Sequence, residues 1–341
     1  MRLPLFLLLI VAAPFTVQAQ NEPATPPAAE QAPAQPPAAD APTATQNVQR
    51  AIEQAGPGAE APAKKDIIMP HITDSRHLEI PWFNSHFAKG VELPHWPPLH
   101  IGGLTIDLSP TKHVVMLLVA AALCCLVLIT AARSHRRTAT AGRAPKGVAN
   151  GVEAMVLYMR NEIIIPNVGH HGNAFVPYLL TLFFFILCAN ILGLIPYGAT
   201  ATGNIAVTGT LALISFIVVE IAGMRALGKG YLGTIVYWPH DMSLPMKMGL
   251  TLILTPVEII GKFTKPFALA IRLFANMTAG HVIVLAFIGM IFTFGSWVVA
   301  PLPFIMAVAI MLLEVLVAFI QAFIFTLLTS VFIGQIRSGA H

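Results

Sequence analysis

"AIRLFANMTAGHVIVLAF", residues 270–287, decides how this chain is to be read. Arg272 stands third in an otherwise apolar run, with His281 further along it. An arginine cannot shed its charge, because its pKa lies above about 12. Placed in hydrocarbon it costs at least ~2.5–3.5 kcal/mol on insertion scales. A chain that keeps such a group must gain something from it, and the surrounding sequence says what.

The chain has 341 residues, of which 56% are hydrophobic and only 11% charged, and its mean hydropathy is +0.72. Soluble domains carry roughly 25% charged residues, so about half the usual charge is missing. Apolar runs near the ~20 residues needed to cross a bilayer recur through the C-terminal two thirds. These features predict an all-α polytopic membrane protein with about five membrane helices. The net charge of +4 (20 basic against 16 acidic) sits mostly in short connecting segments. It is a topology signal, not a nucleic-acid footprint. Cys124, Cys125 and Cys188 all lie in apolar runs without CxxC spacing, which marks them as packing residues rather than metal or redox groups.

The N-terminus, "MRLPLFLLLIVAAPFTVQAQ", combines a basic Arg2, an apolar stretch and a small-x-small ending at Val17 and Ala19. It reads as a signal peptide over 1–19, which would leave the mature N-terminus extracytoplasmic. Residues 20–65, with "NEPATPPAAEQAPAQPPAADAPTATQ" at 21–46, are too rich in Pro and Ala to bury a core and predict a disordered tether. Residues 66–111 hold Trp, Pro and His in a pattern suited to an extracytoplasmic, interfacial segment. The spacing of His71, His77, His86, His95 and His100 matches no standard ligand set, so no metal site is expected there.

The membrane domain is expected over 112–341. Its first span, 113–132, is followed at once by "RSHRR", which marks the cytoplasmic side. This agrees with an exported N-terminus. "GVEAMVLYMRNEIIIPNV" at 151–168 is too charged to cross and predicts an amphipathic helix on the cytoplasmic face. Spans follow at 174–196 and 204–224, the second meeting Arg225 and Lys229. From 246 to 294 the pattern is helical for nearly fifty residues, interrupted only by Pro256 and Pro266. At about 1.5 Å per residue that is far too long for a perpendicular span, so it must be strongly tilted or bent. A last long helix over 298–336 carries Glu314 and Gln321, and Arg337 puts the C-terminus in the cytoplasm.

Helical spacing groups the polar residues. Arg272 and Asn276, four apart, share a face, and so do Glu314 and Gln321, seven apart. Two antiparallel helices would present Arg272, Asn276 and Gln321 at one level and His281 with Glu314 at another. Ala268, Ala275, Ala279 and Gly280 form a small-residue stripe that lets another helix approach closely. A fixed cation beside a titratable imidazole–carboxylate pair points to proton traffic. Arg272 can attract a carboxylate and hold it deprotonated, and it can block protons from passing straight through. A purely structural Arg272–Glu314 ion pair is the alternative, but it leaves Asn276, Gln321, His281 and Glu258 without a purpose. For Glu258 a local pairing with Lys262, four residues on, is also open, and Glu220 reads as interfacial.

At these residues the chain resembles subunit a of the F-type ATP synthases. The matching pieces are "PFALAIRLFANMTAGH" (266–281), "VAFIQAFIFTLLTSVFI" (317–333), "NILGLIP" (190–196) and "GNIAVT" (203–208). The resemblance covers about 75–337 and leaves out the signal peptide and tether. It implies that the last two helices form a tilted hairpin against a ring of subunit c, with Arg272 facing the ring carboxylate. It further implies supporting roles for Asn276 and Gln321, and Glu258 on the cytoplasmic proton path. His281 and Glu314 exchange the acid and imidazole found at these positions in many bacterial members. The resemblance implies two offset half-channels coupling proton flow to ring rotation, in a non-catalytic subunit without cofactor or metal. Subunit b of the stator stalk, the remaining synthase subunits and the lipid of the cell inner membrane are the implied partners. A self-contained secondary cation transporter is the rival reading. It would need internal inverted repeats, and the two halves of the sequence show none.

Overall fold

The computed structural model describes residues 75, 77–81, 88–96, 99–101, 104–106, 109–140, 147–169, 172–195, 200–236, 243–294 and 298–338. The expected signal peptide and tether, with His71, His86, His170 and His171, lie outside the described residues. Two small antiparallel hairpins come first, β1 (His77–Pro81) with β2 (Ala88–Glu92) and β3 (Leu99–Ile101) with β4 (Leu104–Ile106). The interfacial reading of 66–111 had not foreseen these strands. A backbone bond from Lys112 N to Ser75 O (3.1 Å) joins this region to the first helix.

The other elements among the described residues are helices. Helix α1 (Lys112–Thr140) runs well past the apolar stretch ending at 132. Arginine is a good helix former, so the helix continues through "RSHRR" although the greasy segment is over. Helix α2 (Val148–Tyr158) passes through a π-helical turn (Met159–Ile164) into the single turn α3 (Ile165–Val168). The surface helix expected over 151–168 is therefore only half on the surface. Met159, Ile163, Ile164 and Val168 are buried in the bundle.

Helix α4 (Val176–Gly193) begins with Pro177 in its first turn, where the missing N–H costs nothing. It is the centre of the bundle, with every residue from Thr181 to Asn190 buried. Phe183 packs edge-on against Phe184 (5.1 Å) and against Phe319 (5.9 Å) of the last helix. Helix α5 (Ile205–Leu227) starts at Asn204, whose side chain accepts a bond from Ala206 N (2.8 Å). It stops at Gly228, where φ is +53°, a conformation glycine adopts at no steric cost. Tyr178 of α4 donates to Ser215 of α5 at 2.9 Å.

Helix α6 (Leu244–Phe294) is one continuous helix of 51 residues with Pro256 and Pro266 inside it. Each proline removes one backbone hydrogen bond without ending the helix, as membrane helices tolerate. Its length, about 76 Å at 1.5 Å per residue, exceeds twice the ~30 Å hydrocarbon thickness. Helix α7 (Pro301–Ser338) returns antiparallel to it and also packs on α4 and α5. The C-terminal end of α7 docks on α3. Gly334 lies against the Asn167 carbonyl so closely that a Cβ would collide. Arg337 donates to Val168 O at 3.4 Å and lies over the Phe175 ring. Helices α1, α4, α5, α6 and α7 are each long and apolar enough to cross a membrane.

Candidate functional site

The α6–α7 hairpin carries the polar seam. Asn276 Nδ2 donates to Gln321 Oε1 at 3.0 Å, and Gln321 is buried. One helical turn further towards the C-terminal end of α6, the Glu314 carboxylate lies directly over Gly280, where a Cβ would collide with it. Glycine at this position is thus the condition for a glutamate on α7 to reach the α6 backbone. His281 is the next residue and is half-buried.

Arg272 stands apart from both pairs. It is exposed, together with Ala268, Ala275 and Ala279, along the outer face of α6. Among the described residues it makes no hydrogen bond or ion pair. Sequence spacing grouped it with Asn276 and Gln321, and the structure joins only the latter two. The Arg272–Glu314 ion pair considered above is not formed. Glu314 packs over Gly280, eight residues from Arg272, or about 12 Å along the helix.

Glu258 lies fourteen residues before Arg272, about 21 Å along α6. It lines a cavity of about 100 Å³ with Glu220, Thr234, Lys262, Lys265 and Gln335. Within this cavity Lys262 reaches Glu220 of α5 at 3.5 Å. Its Nζ also donates to Thr234 Oγ1 at 3.2 Å and sits 4.8 Å from the centre of the Tyr231 ring. The Tyr231 hydroxyl donates to the same Glu220 carboxylate. Tyr231 and Thr234 belong to the 3₁₀ turn Gly228–Thr234 that follows α5.

Two groups here escaped the sequence reading. Glu220, read from the sequence only as an interfacial residue near the end of its span, has a side chain only 15% exposed and engaged by two partners. The second is a fully buried network. Asn190 of α4 donates to Ala318 O of α7 (3.2 Å) and accepts from Thr202 Oγ1 (2.9 Å). Ala318 lies one turn from Glu314 and less than one from Gln321, so this network fixes α7 at the level of the seam. The signal was available, because Asn190 is a polar residue inside an apolar run.

The geometry defines a class: a multi-pass helical membrane protein whose longest helix exposes a fixed positive charge between two inward-facing polar groups. The sequence pattern of the ATP synthase A chain family matches residues 113–334. The chain is 44% identical to "ATP synthase subunit a 2" of Chlorobaculum tepidum, over 94% of this chain and 86% of that protein. It is likewise 44% identical to "ATP synthase subunit a 2" of Chlorobium luteolum, over 96% and 89%. With "ATP synthase subunit a" of Anaeromyxobacter dehalogenans the identity is 44%, over 79% and 68%. The chain belongs to the ATP synthase A chain family.

Proposed function

We propose that the chain is the stationary proton-channel subunit of an F-type ATP synthase, acting without catalytic chemistry of its own. The observation that carries this is the exposure of Arg272 on the small-residue face of α6, where no carboxylate among the described residues pairs with it. A permanent cation on an outer, otherwise apolar face calls for an anionic partner that comes and goes, and a carboxylate on a neighbouring ring of subunit c meets that need.

The polar groups on either side of Arg272 then serve as two half-channels. Protons arrive from the extracytoplasmic side by way of Glu314 and His281 and neutralise a ring carboxylate. The ring turns, and the proton leaves to the cytoplasm past Glu258. Asn276 and Gln321, tied at 3.0 Å, hold the two long helices in register beside the arginine. The two polar groups lie at different heights along α6, His281 nine residues after Arg272 and Glu258 fourteen before it. The fixed charge of Arg272 bars a direct path between them, so the proton must travel with the ring. Each charge that falls through ~100 mV releases about 2.3 kcal/mol, so several must be gathered by rotation for one ATP.

In this arrangement the N-terminus is extracytoplasmic, the C-terminus lies in the cytoplasm of a cell with the protein in its inner membrane, and subunit b of the stator stalk holds the subunit still. The domain limits given above (1–19, 20–65, 66–111 and 112–341) belong to the same proposal. Replacing Arg272 by alanine tests it. ATP-driven acidification of inverted vesicles should be abolished while the soluble ATPase chemistry continues. Lysine should be nearly as damaging, because it loses the planar fork and can deprotonate. Normal pumping with Arg272→Ala, per assembled complex, would sink the assignment.

A further inference from the structure

The cytoplasmic cavity holds two carboxylates and two ammonium groups, and only Glu258 has been given a part in proton movement. The remaining charges are not neutral bystanders. Lys262 follows Glu258 by one helical turn, which places the two side chains on one face of α6 with Cβ atoms about 5–6 Å apart. Instead of extending along that face into solvent, its ammonium crosses to α5 and lies 3.5 Å from Glu220, 3.2 Å from Thr234 and over the Tyr231 ring. The Lys262 and Glu220 side chains are 13% and 15% exposed. Charges so poorly hydrated act on their neighbours far more strongly than charges in bulk water. The titratable and charged groups facing Glu258 are thus Glu220 from α5 and Lys262 and Lys265 from α6, with Tyr231 behind Glu220. Helix α7 contributes only uncharged groups such as Gln335 and Thr329 to the same wall.

We propose that Glu220 is a further positioning residue of the proton path. By holding Lys262 it cancels an ammonium that would otherwise repel protons from Glu258. This rests on the reading of Glu258 given above. Tyr231 completes the device, since its hydroxyl fixes the Glu220 carboxylate while its ring face receives the ammonium. A cation beside a proton path lowers the local concentration of protons, and its neutralisation restores it. An ion pair serving only to tie α5 to α6 would have no such sign. Loss of either partner would then be equally harmful, since each leaves one buried charge without its mate.

The test uses the whole synthase in inverted vesicles, with ATP-driven acidification normalised to assembled complex. The external pH is set where wild-type pumping has fallen to half its maximum, so that proton access from the cytoplasmic side limits the rate. Glu220→Gln should lower the rate by about tenfold, the lower end of what focused fields do to charged-ligand access. Lys262→Gln should raise it, and the double variant should return close to wild type. An unchanged Glu220→Gln, a fall in Lys262→Gln, or a double variant as slow as Glu220→Gln would each overturn the proposal. Should Glu220→Gln fail to assemble, the sign of the Lys262→Gln change decides alone. An Arg272→Ala control that still pumped would instead discredit the proton-channel reading itself, so the two failures are told apart.

Discussion

Helix α4 and the α6–α7 hairpin are both apolar enough to cross a membrane, yet the chain wraps the one and leaves much of the other bare. From Thr181 to Asn190, α4 has no accessible side. On α7, by contrast, Leu312, Leu313, Val315, Leu316, Phe319 and Ile320 are all exposed. Within a bilayer, lipid tails are as apolar as leucine, so greasiness alone does not pull helices together. What separates the two regions is shape and polarity. Helix α4 fills its surroundings with Phe183, Phe184 and Phe185, and its one amide, Asn190, is spent on Thr202 and Ala318. The hairpin offers alanines, a glycine and an exposed arginine. The first region is finished by its own chain, and the second is built to be completed by something else.

The contrast breaks most visibly under mutation of the centre. Phe185 is fully buried, so Phe185→Ala opens a cavity whose lost packing costs about 3–5 kcal/mol. That approaches the entire stability of many domains. Little of the chain should then survive in the membrane, as immunoblots of membrane fractions would register. Leu316→Ala, at a site 56% exposed, removes little that the chain itself packs. The purified Leu316→Ala chain should unfold at the wild-type temperature. Equal losses in the two variants would mean that the hairpin face is as self-sufficient as α4.

A smaller effect separates two glycines of the same helix. A Cβ on Gly280 would occupy the space of the Glu314 carboxylate, whereas one on Gly289 would meet nothing within 4 Å. Gly280→Ala should therefore push Glu314 off α6 and cut ATP-driven pumping severely without loss of assembled protein. Gly289→Ala should change neither, since alanine is the better helix former by about 1 kcal/mol. If both variants pump normally, the close approach of Glu314 to α6 has no functional weight.

Much of this could be read in the sequence, and the rest could not, for physical reasons. The membrane class, the number of long helices and the hairpin of the last two follow from apolar run length, which the bilayer thickness fixes. The pairing of Asn276 with Gln321 was legible because spacings of four and seven residues define a helix face and antiparallel packing sets the level. The Glu220–Lys262 contact was not, because the partners stand 42 positions apart with a 3₁₀ turn between them, and no periodicity connects them. Nor was the separation of Arg272 from Gln321. Sharing a face says which residues point the same way, not which of them touch. Pro256 and Pro266 looked like interruptions, yet α6 runs through both, since in a membrane helix a single lost bond is outweighed by the bonds of every neighbouring turn.

The finest distinction concerns Glu314, which lies over Gly280, and His281, the next residue along α6. Glu314 comes from α7 and His281 from α6, next to the glycine that admits the carboxylate. If they form one proton-uptake unit, their mutual placement matters more than which helix supplies the acid. His281→Glu alone would set two carboxylates side by side, a pair that cannot easily ionise together. Glu314→His alone would leave two imidazoles and no acid. Each single change should slow ATP-driven acidification of vesicles, measured per assembled complex. The double exchange, His281→Glu with Glu314→His, restores one acid and one imidazole at the same level. It should recover more rate than the two single losses predict together, with a coupling of about 0.5–3 kcal/mol, the range found for residues in contact. Simple addition of the losses would mean that the two groups act independently, and the hairpin would then carry two separate sites where a single relay is expected.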